Sequence, residues 1–265
     1  MRLQDKVVLV TAATRGIGLA ITTACAEEGA VVYMAARDID RAAAAAEPLV
    51  SRGLRVRTVY NDATVPSSFS SMVEDVVDLE GRIDALVNNF GTSDPRKDLD
   101  LAHTEAEVFL NTVTTNLRSV FLGSRAAARY MAQSGGSIVN ISSVGGIVPD
   151  IAQIAYGTSK AAINYLTKLI AVQEAANGIR CNAVLPGMTA TDAVQSKLSG
   201  EFRDAFLRHV PLGRMTLPEE IAAAVVYFLS DESACTTGQI LTVSGGFGLA
   251  TPLYGDLGGR HHVRS

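Results

Sequence analysis

Lys6-Val7-Val8-Leu9-Val10-Thr11-Ala12-Ala13-Thr14-Arg15-Gly16-Ile17-Gly18 decides the fold. The run over 6–11 is apolar on both faces, as a central strand of a parallel sheet must be. A glycine turn follows, and the stretch over 19–28 reads as a helix closed by Gly29. A helix start reached through glycines presents free backbone N–H groups and a positive dipole end, which suits a pyrophosphate.

The same alternation runs through the rest of the chain. Strands are expected over 30–36, 55–60, 84–88, 137–142, 179–185 and 239–243, and helices over 40–53, 65–81, 105–133, 154–177 and 218–230. This pattern implies an α/β protein: a single-domain, Rossmann-type, doubly wound parallel sheet of seven strands with helices on both faces. The expected strand order is 3-2-1-4-5-6-7, with ligands at the carboxyl ends of the strands. The stretch 188–214 is too long for a plain connection and is expected to form a lid of short helices over a substrate. The glycine-rich tail, 248–265, is expected to reach a neighbouring subunit.

Composition narrows the function. The chain has 265 residues, 48% of them hydrophobic, and a formal net charge of −4. It is long enough to bury a core without staples. It has neither the basic balance of a nucleic-acid binder nor an apolar run of membrane-spanning length. With no signal peptide, a soluble cytoplasmic protein is expected. Cys25, Cys181 and Cys235 have no pairing spacing and are expected as small buried apolar residues; no metal site is expected, and His261 and His262 read as an exposed tail.

The chemistry is concentrated between Ser143 and Lys160. Tyr156 and Lys160 are four apart and share one face of a helix. An ammonium beside a phenol favours the phenolate, so the pair is expected to bring the tyrosine toward working pH as a general acid or base. Ser143 ends the preceding strand, where its hydroxyl could hold the oxygen that Tyr156 protonates. Asn116 falls inside the long helix and invites a local distortion there. At the end of the second strand stands Arg37, and Arg15 lies in the glycine turn. Two guanidiniums converging there suit a ribose 2′-phosphate, so NADP(H) is expected over NAD(H), with Asp38 as the feature favouring NAD(H).

The turn after the first strand resembles the Thr-Gly-x-x-x-Gly-x-Gly turn of the short-chain dehydrogenases/reductases, with Ala12 in place of the first glycine and a slight displacement of the turn expected. Asn88-Asn89-Phe90-Gly91 resembles the family's Asn-Asn-Ala-Gly, with Phe90 expected to make the pocket wall bulkier. The resemblance covers Lys6 to Phe247 and includes a complete catalytic tetrad, Asn116, Ser143, Tyr156 and Lys160. It implies an NAD(P)-dependent alcohol dehydrogenase or ketone reductase, in which Asn116 widens its helix and holds a water linking the lysine to solvent. It implies a cofactor-binding set of Thr11, Thr14, Arg15, Gly16, Ile17, Arg37, Asp62, Ala63, Asn89, Gly91, Tyr156, Lys160, Pro186, Gly187, Thr189 and Thr191. Within the set, Asp62 would touch the adenine and Thr191 the nicotinamide carboxamide. It also implies a homotetramer.

Within that family, Val148-Pro149-Asp150-Ile151, the stretch Ile179 to Gly187, Glu201-Phe202-Arg203-Asp204, His209-Val210-Pro211-Leu212 with Arg214, and Thr251-Pro252-Leu253-Tyr254 resemble bacterial bile-acid hydroxysteroid dehydrogenases, above all the 7α-type. This implies a steroid or bile-acid substrate, oxidised at the 7α- or else the 12α-hydroxyl. The alternatives are a short-chain reductase of another carbonyl, such as a 3-oxoacyl thioester or sugar, and a non-catalytic dinucleotide sensor. Lys197, Arg203, Arg208 and Arg214 in the lid are offset by Asp192, Glu201 and Asp204 and do not choose between substrates.

Overall fold

The computed structural model describes residues 1–196, 198–251 and 253–256. Lys197, Pro252 and the end of the tail, with His261 and His262, lie outside the described residues. Strands β1 (Val7–Thr11), β2 (Val31–Ala36), β3 (Val56–Tyr60), β4 (Ala85–Asn88), β5 (Gly136–Ile141), β6 (Ile179–Pro186) and β7 (Ile240–Val243) form one sheet in the order β3-β2-β1-β4-β5-β6-β7. Every pairing is parallel, so each strand must be followed by a crossover. Helices α1 (Gly16–Glu27), α2 (Ile39–Val50), α3 (Ser68–Glu80), α4 (Ala106–Met131), α5 (Ile154–Gln173) and α8 (Pro218–Leu229) supply those crossovers. Two short helices, α6 (Asp192–Gln195) and α7 (Gly200–Leu207), fill the expected lid, and α9 (Leu253–Asp256) lies in the tail.

Alternate residues of each central strand feed different cores. Val8 and Val10 of β1 join Val87, Val139 and Val184 under α1 and α8, where Ile21, Val225 and Phe228 pack. Leu9 points the other way, with Leu86 and Ile138, to Phe69, Met72, Met131 and Ile170 of α3, α4 and α5. Burial on both faces is why these strands read as unbroken apolar runs. Cys25 and Cys181 are buried as expected, but Cys235 is exposed. Among the described residues no helix is long and apolar enough to cross a membrane.

Ala12 takes a left-handed conformation of the kind a glycine favours, with φ +51°, and bears a strain of about 1 kcal/mol there. The expected widening at Asn116 is corrected: the backbone is α-helical through it, and its side chain hydrogen-bonds the loop after β4. Phe90 is half-buried and packs against the core under α3 and α4. The described part of the tail turns back on its own chain: the Tyr254 hydroxyl donates to the Pro211 carbonyl at 3.4 Å, and Gly255 lies against the His209 ring.

Candidate active site

Tyr156 and Lys160 stand one turn apart on α5, with the Lys160 Nζ 5.5 Å from the centroid of the tyrosine ring. Ser143 enters from the end of β5 on extended backbone, and its hydroxyl accepts from the Gly145 N–H at 3.1 Å. Lys160 is only 3% exposed; its Nζ donates to the Ile141 carbonyl at 2.9 Å. It also lies where it would be 2.9 Å from a Cβ placed on Gly91, so the ammonium is wedged between the ends of β4 and β5.

Removing an ammonium from water favours the neutral amine, and Lys160 is brought down to about 8. Burial likewise pushes the half-buried Tyr156 phenol up, with the Ser143 hydroxyl partly offsetting it. The expected lowering of the tyrosine by Lys160 is therefore not met in the free protein. The ammonium is turned to Ile141 and faces the ring, and desolvation outweighs its attraction.

Asn116 is fully buried and clasps the loop after β4. Its Oδ1 accepts from the Thr92 N–H at 2.8 Å, and its Nδ2 donates to the Thr92 carbonyl at 2.9 Å and to Ser159 Oγ at 3.0 Å. The same loop carries a further buried residue that no sequence motif marks. Asp98 is fully buried, and its carboxylate accepts from the backbone N–H groups of Ala155 and Tyr156 at 2.8 and 2.9 Å. The available signal was a helix start at Ile154 with no serine, threonine, aspartate or asparagine immediately before it.

Beside this cluster, α1 begins after Arg15 with no side-chain cap and no acidic residue in its first turn, leaving its dipole end available to an anion. Gly18 admits no side chain: a Cβ would stand 2.4 Å from the Ala12 carbonyl oxygen. Thr11 and Asn89 tie β1 to β4. The Asn89 N–H donates to Thr11 Oγ1 at 2.9 Å, and its Nδ2 donates to the carbonyls of Thr11 and Ala12 at 3.2 and 3.1 Å. Thr14 is half-buried in the turn, and Ile17 packs against the first core.

From the far side of the cleft, Thr191 caps α6 by accepting from Val194 N–H at 3.3 Å, and its methyl sits against Gly16. Pro186 closes β6, the Gly187 N–H donates to Val243 at 3.0 Å, and the Thr189 hydroxyl donates to the Gly187 carbonyl at 3.0 Å.

At the end of β2, Asp38 caps α2 by accepting from the Arg41 N–H at 3.0 Å, while Arg37 is exposed. Asp62 accepts from the Thr64 N–H and hydroxyl, both at 2.8 Å, which holds its carboxyl below the usual range, with Arg37 adding a smaller pull. Ala63 is buried, and its carbonyl accepts from Arg118 Nη2 at 3.0 Å. These residues line the carboxyl ends of the strands around the point between β1 and β4 where the sheet order reverses.

A doubly wound sheet, an uncapped glycine-guarded helix start, and a buried lysine beside a tyrosine define a dinucleotide-dependent oxidoreductase. Comparison with known proteins agrees. A family model described as enoyl-(acyl carrier protein) reductase matches residues 11–248. The 7alpha-hydroxysteroid dehydrogenase of Clostridium sardiniense is 48% identical over 96% of this chain and 98% of its own. That of Paraclostridium sordellii is 47% identical over 97% of each. A solved structure titled "Crystal structure of gox2181" superposes with a TM-score of 0.90 at 34% identity, covering 94% of this chain and 98% of that one. The chain belongs to the short-chain dehydrogenase/reductase family and is an oxidoreductase.

The residues fit the family's nicotinamide dinucleotide. The start of α1 is open and would hold the pyrophosphate, Asp62 with Arg37 nearby would hold the adenosine end, and Lys160 and Thr191 would hold the nicotinamide end.

Proposed function

We propose that the protein interconverts a secondary hydroxyl of a bile acid and the corresponding ketone, acting on the 7α-hydroxyl with NADP(H). The observation that carries this reading is the near-full-length similarity to two 7alpha-hydroxysteroid dehydrogenases. The apolar rim of the cleft supports it. Ile147, Ile151, Phe202 and Leu249 are all exposed, and the segments bearing them adjoin: Gly248 lies against Val148, and Phe206 of the lid stacks on Phe247 at 4.5 Å. Such a rim suits the apolar body of a steroid.

In oxidation, Tyr156 takes the proton of the substrate hydroxyl at its phenolic oxygen, and Ser143 Oγ hydrogen-bonds the same oxygen. The nicotinamide, when bound, supplies the hydride acceptor for oxidation and the hydride donor for reduction. Lys160 stabilises the phenolate once it forms, and Asn116 holds the loop that walls the lysine. In reduction Tyr156 returns the proton to the ketone oxygen.

The preference for NADP(H) rests on Arg15 and Arg37, which make no ion pair among the described residues, and on Asp38 being engaged as the cap of α2. We also infer a homotetramer, since α4 and α5 leave Phe121, Tyr165 and Val172 exposed; sedimentation velocity tests it.

The assay follows formation of reduced nicotinamide from cholate, chenodeoxycholate and deoxycholate with NADP⁺ and with NAD⁺. Cholate carries both the 7α- and 12α-hydroxyls, chenodeoxycholate only the first and deoxycholate only the second. Turnover of cholate and chenodeoxycholate, faster with NADP⁺, is expected. Turnover of cholate and deoxycholate alone would move the reaction to the 12α-hydroxyl. No turnover of any would remove the bile-acid reading, and the acyl-carrier reductase named by the family model's description becomes the next substrate class to assay.

A further inference from the structure

Helix α5 begins without a cap of its own. Gln153, at its N-cap, lies in the left-handed region with φ +61°, and its own side chain makes no cap hydrogen bond. A buried helix start must place its free N–H groups somewhere. All four go to the loop after β4. Gln153 N–H donates to the Asp98 carbonyl and Ile154 N–H to the Leu99 carbonyl, both at 3.2 Å. Ala155 N–H donates to Oδ1 of Asp98 at 2.8 Å and Tyr156 N–H to Oδ2 at 2.9 Å. Ser93 Oγ donates to the same Oδ2 at 3.2 Å.

Both carboxylate oxygens are thus used on consecutive amides, and the second belongs to the tyrosine itself. Asp98 is 0% exposed, so its desolvation is offset by these charge-assisted bonds and by the positive end of the helix dipole. The loop has two other anchors. Gly91 lies against the Lys160 ammonium, and Thr92 is held at both its N–H and its carbonyl by Asn116. One short segment therefore touches the lysine, the asparagine and the tyrosine of the tetrad.

We propose that Asp98 is a positioning residue, which fixes the first turn of α5, and so the aim of Tyr156, against the loop clasped by Asn116. It touches neither substrate nor cofactor. The proposal rests on Tyr156 being the proton carrier of the proposed reaction. The competing view is a helix cap that matters for folding alone.

Asp98→Asn keeps the shape and one acceptor but turns an NH₂ group toward the other amide. On cholate oxidation we expect kcat to fall roughly 10- to 100-fold, the scale of a small misplacement of a catalytic group. KM and NADP⁺ affinity should hold, and the isotope effect with cholate deuterated at the reacting carbon should grow, because the chemical step becomes slower. Ser93→Ala, which removes a single bond to Asp98, should move the same quantities less. An unchanged kcat, or a fall that matches the loss of folded protein with the isotope effect unmoved, would overturn the proposal; the Ser93 variant decides the matter if the Asn variant does not fold. Tyr156→Phe is run alongside: if it retains turnover, the assignment of Tyr156 fails rather than that of Asp98. If the parent does not oxidise cholate, amide hydrogen exchange over 153–157 serves instead. Exchange should quicken in Asp98→Asn, and unchanged exchange overturns the proposal.

Discussion

The two sides of the cleft are built differently. On the sheet side, Asn116 and Asp98 have no exposure, Lys160 almost none, and each has hydrogen bonds at normal length to a neighbouring element. On the lid side, α6 and α7 bury no residue, and Phe202 and Leu253 show more than half their surface. On the proposed function the tetrad would hold reacting atoms in one geometry, which suits its place on a strand end and long helices tied by buried polar bonds. On that proposed function the lid would only have to cover an apolar ligand, and its exposed side chains are free to repack around one. The difference teaches that changes to the sheet side should alter rate and stability, and changes to the lid should alter substrate affinity.

Substitutions on each side can break that division. Tyr156→Phe should lower turnover by at least about 10³-fold, since it removes the proton carrier and with it general acid–base catalysis, while NADP⁺ affinity measured by fluorescence quenching stays near that of the parent. Lys160→Met should abolish turnover as well, yet stabilise the free protein. With its folded pKa at about 8 against 10.5 in a solvated chain, the lysine costs stability of about 3 kcal/mol below pH 8. The sign follows from the unfolded chain binding the proton more tightly. Stability should rise with pH between about 8 and 10.5 in the parent and lose that rise in the variant, as urea unfolding at several pH values would reveal.

On the lid, Phe202→Ser should raise the bile-acid KM about tenfold, the effect of losing one apolar side chain's contact, with kcat and melting temperature little changed. A lid substitution that instead collapsed kcat would erase the distinction between the two sides. The smallest effect is expected at Ala12→Gly, which relieves the left-handed alanine and should stabilise the fold by about 0.5–1 kcal/mol in urea unfolding.

How much of this was legible in the sequence follows the same division. The strand order could be read because parallel strands buried on both faces are apolar at every position, as Val7 to Val10 are. Tyr156 and Lys160 could be read because four residues make one helical turn. Ser143 could be read beside Tyr156 because it ends the strand that leads into that helix, whereas the contact of Gly16 with Thr191 could not, since nothing local joins them. Asp98 was not legible: its partner Tyr156 is 58 residues away, and its bonds go to backbone amides that carry no sequence signal. The pKa of Tyr156 was misjudged for a related reason. Spacing reveals the neighbouring charge but not the depth of burial that outweighs it. Helix ends also moved, as at α3, where the chain turns through Val65 and Pro66 before the helix begins at Ser68.

The central claim is that a half-buried Tyr156, held on the sheet side of the cleft, carries the proton. At neutral pH the pair holds an ammonium and a neutral phenol, the form that gives a proton to a ketone. The most direct measurement is therefore kcat against pH, for cholate oxidation and for reduction of its 7-keto product. Oxidation should climb from pH 7 into the alkaline range as the phenolate forms, and reduction should be level near neutrality and fall over the range where oxidation climbs. An oxidation rate that is flat from pH 7 to 10, or that rises identically in Tyr156→Phe, would contradict the claim.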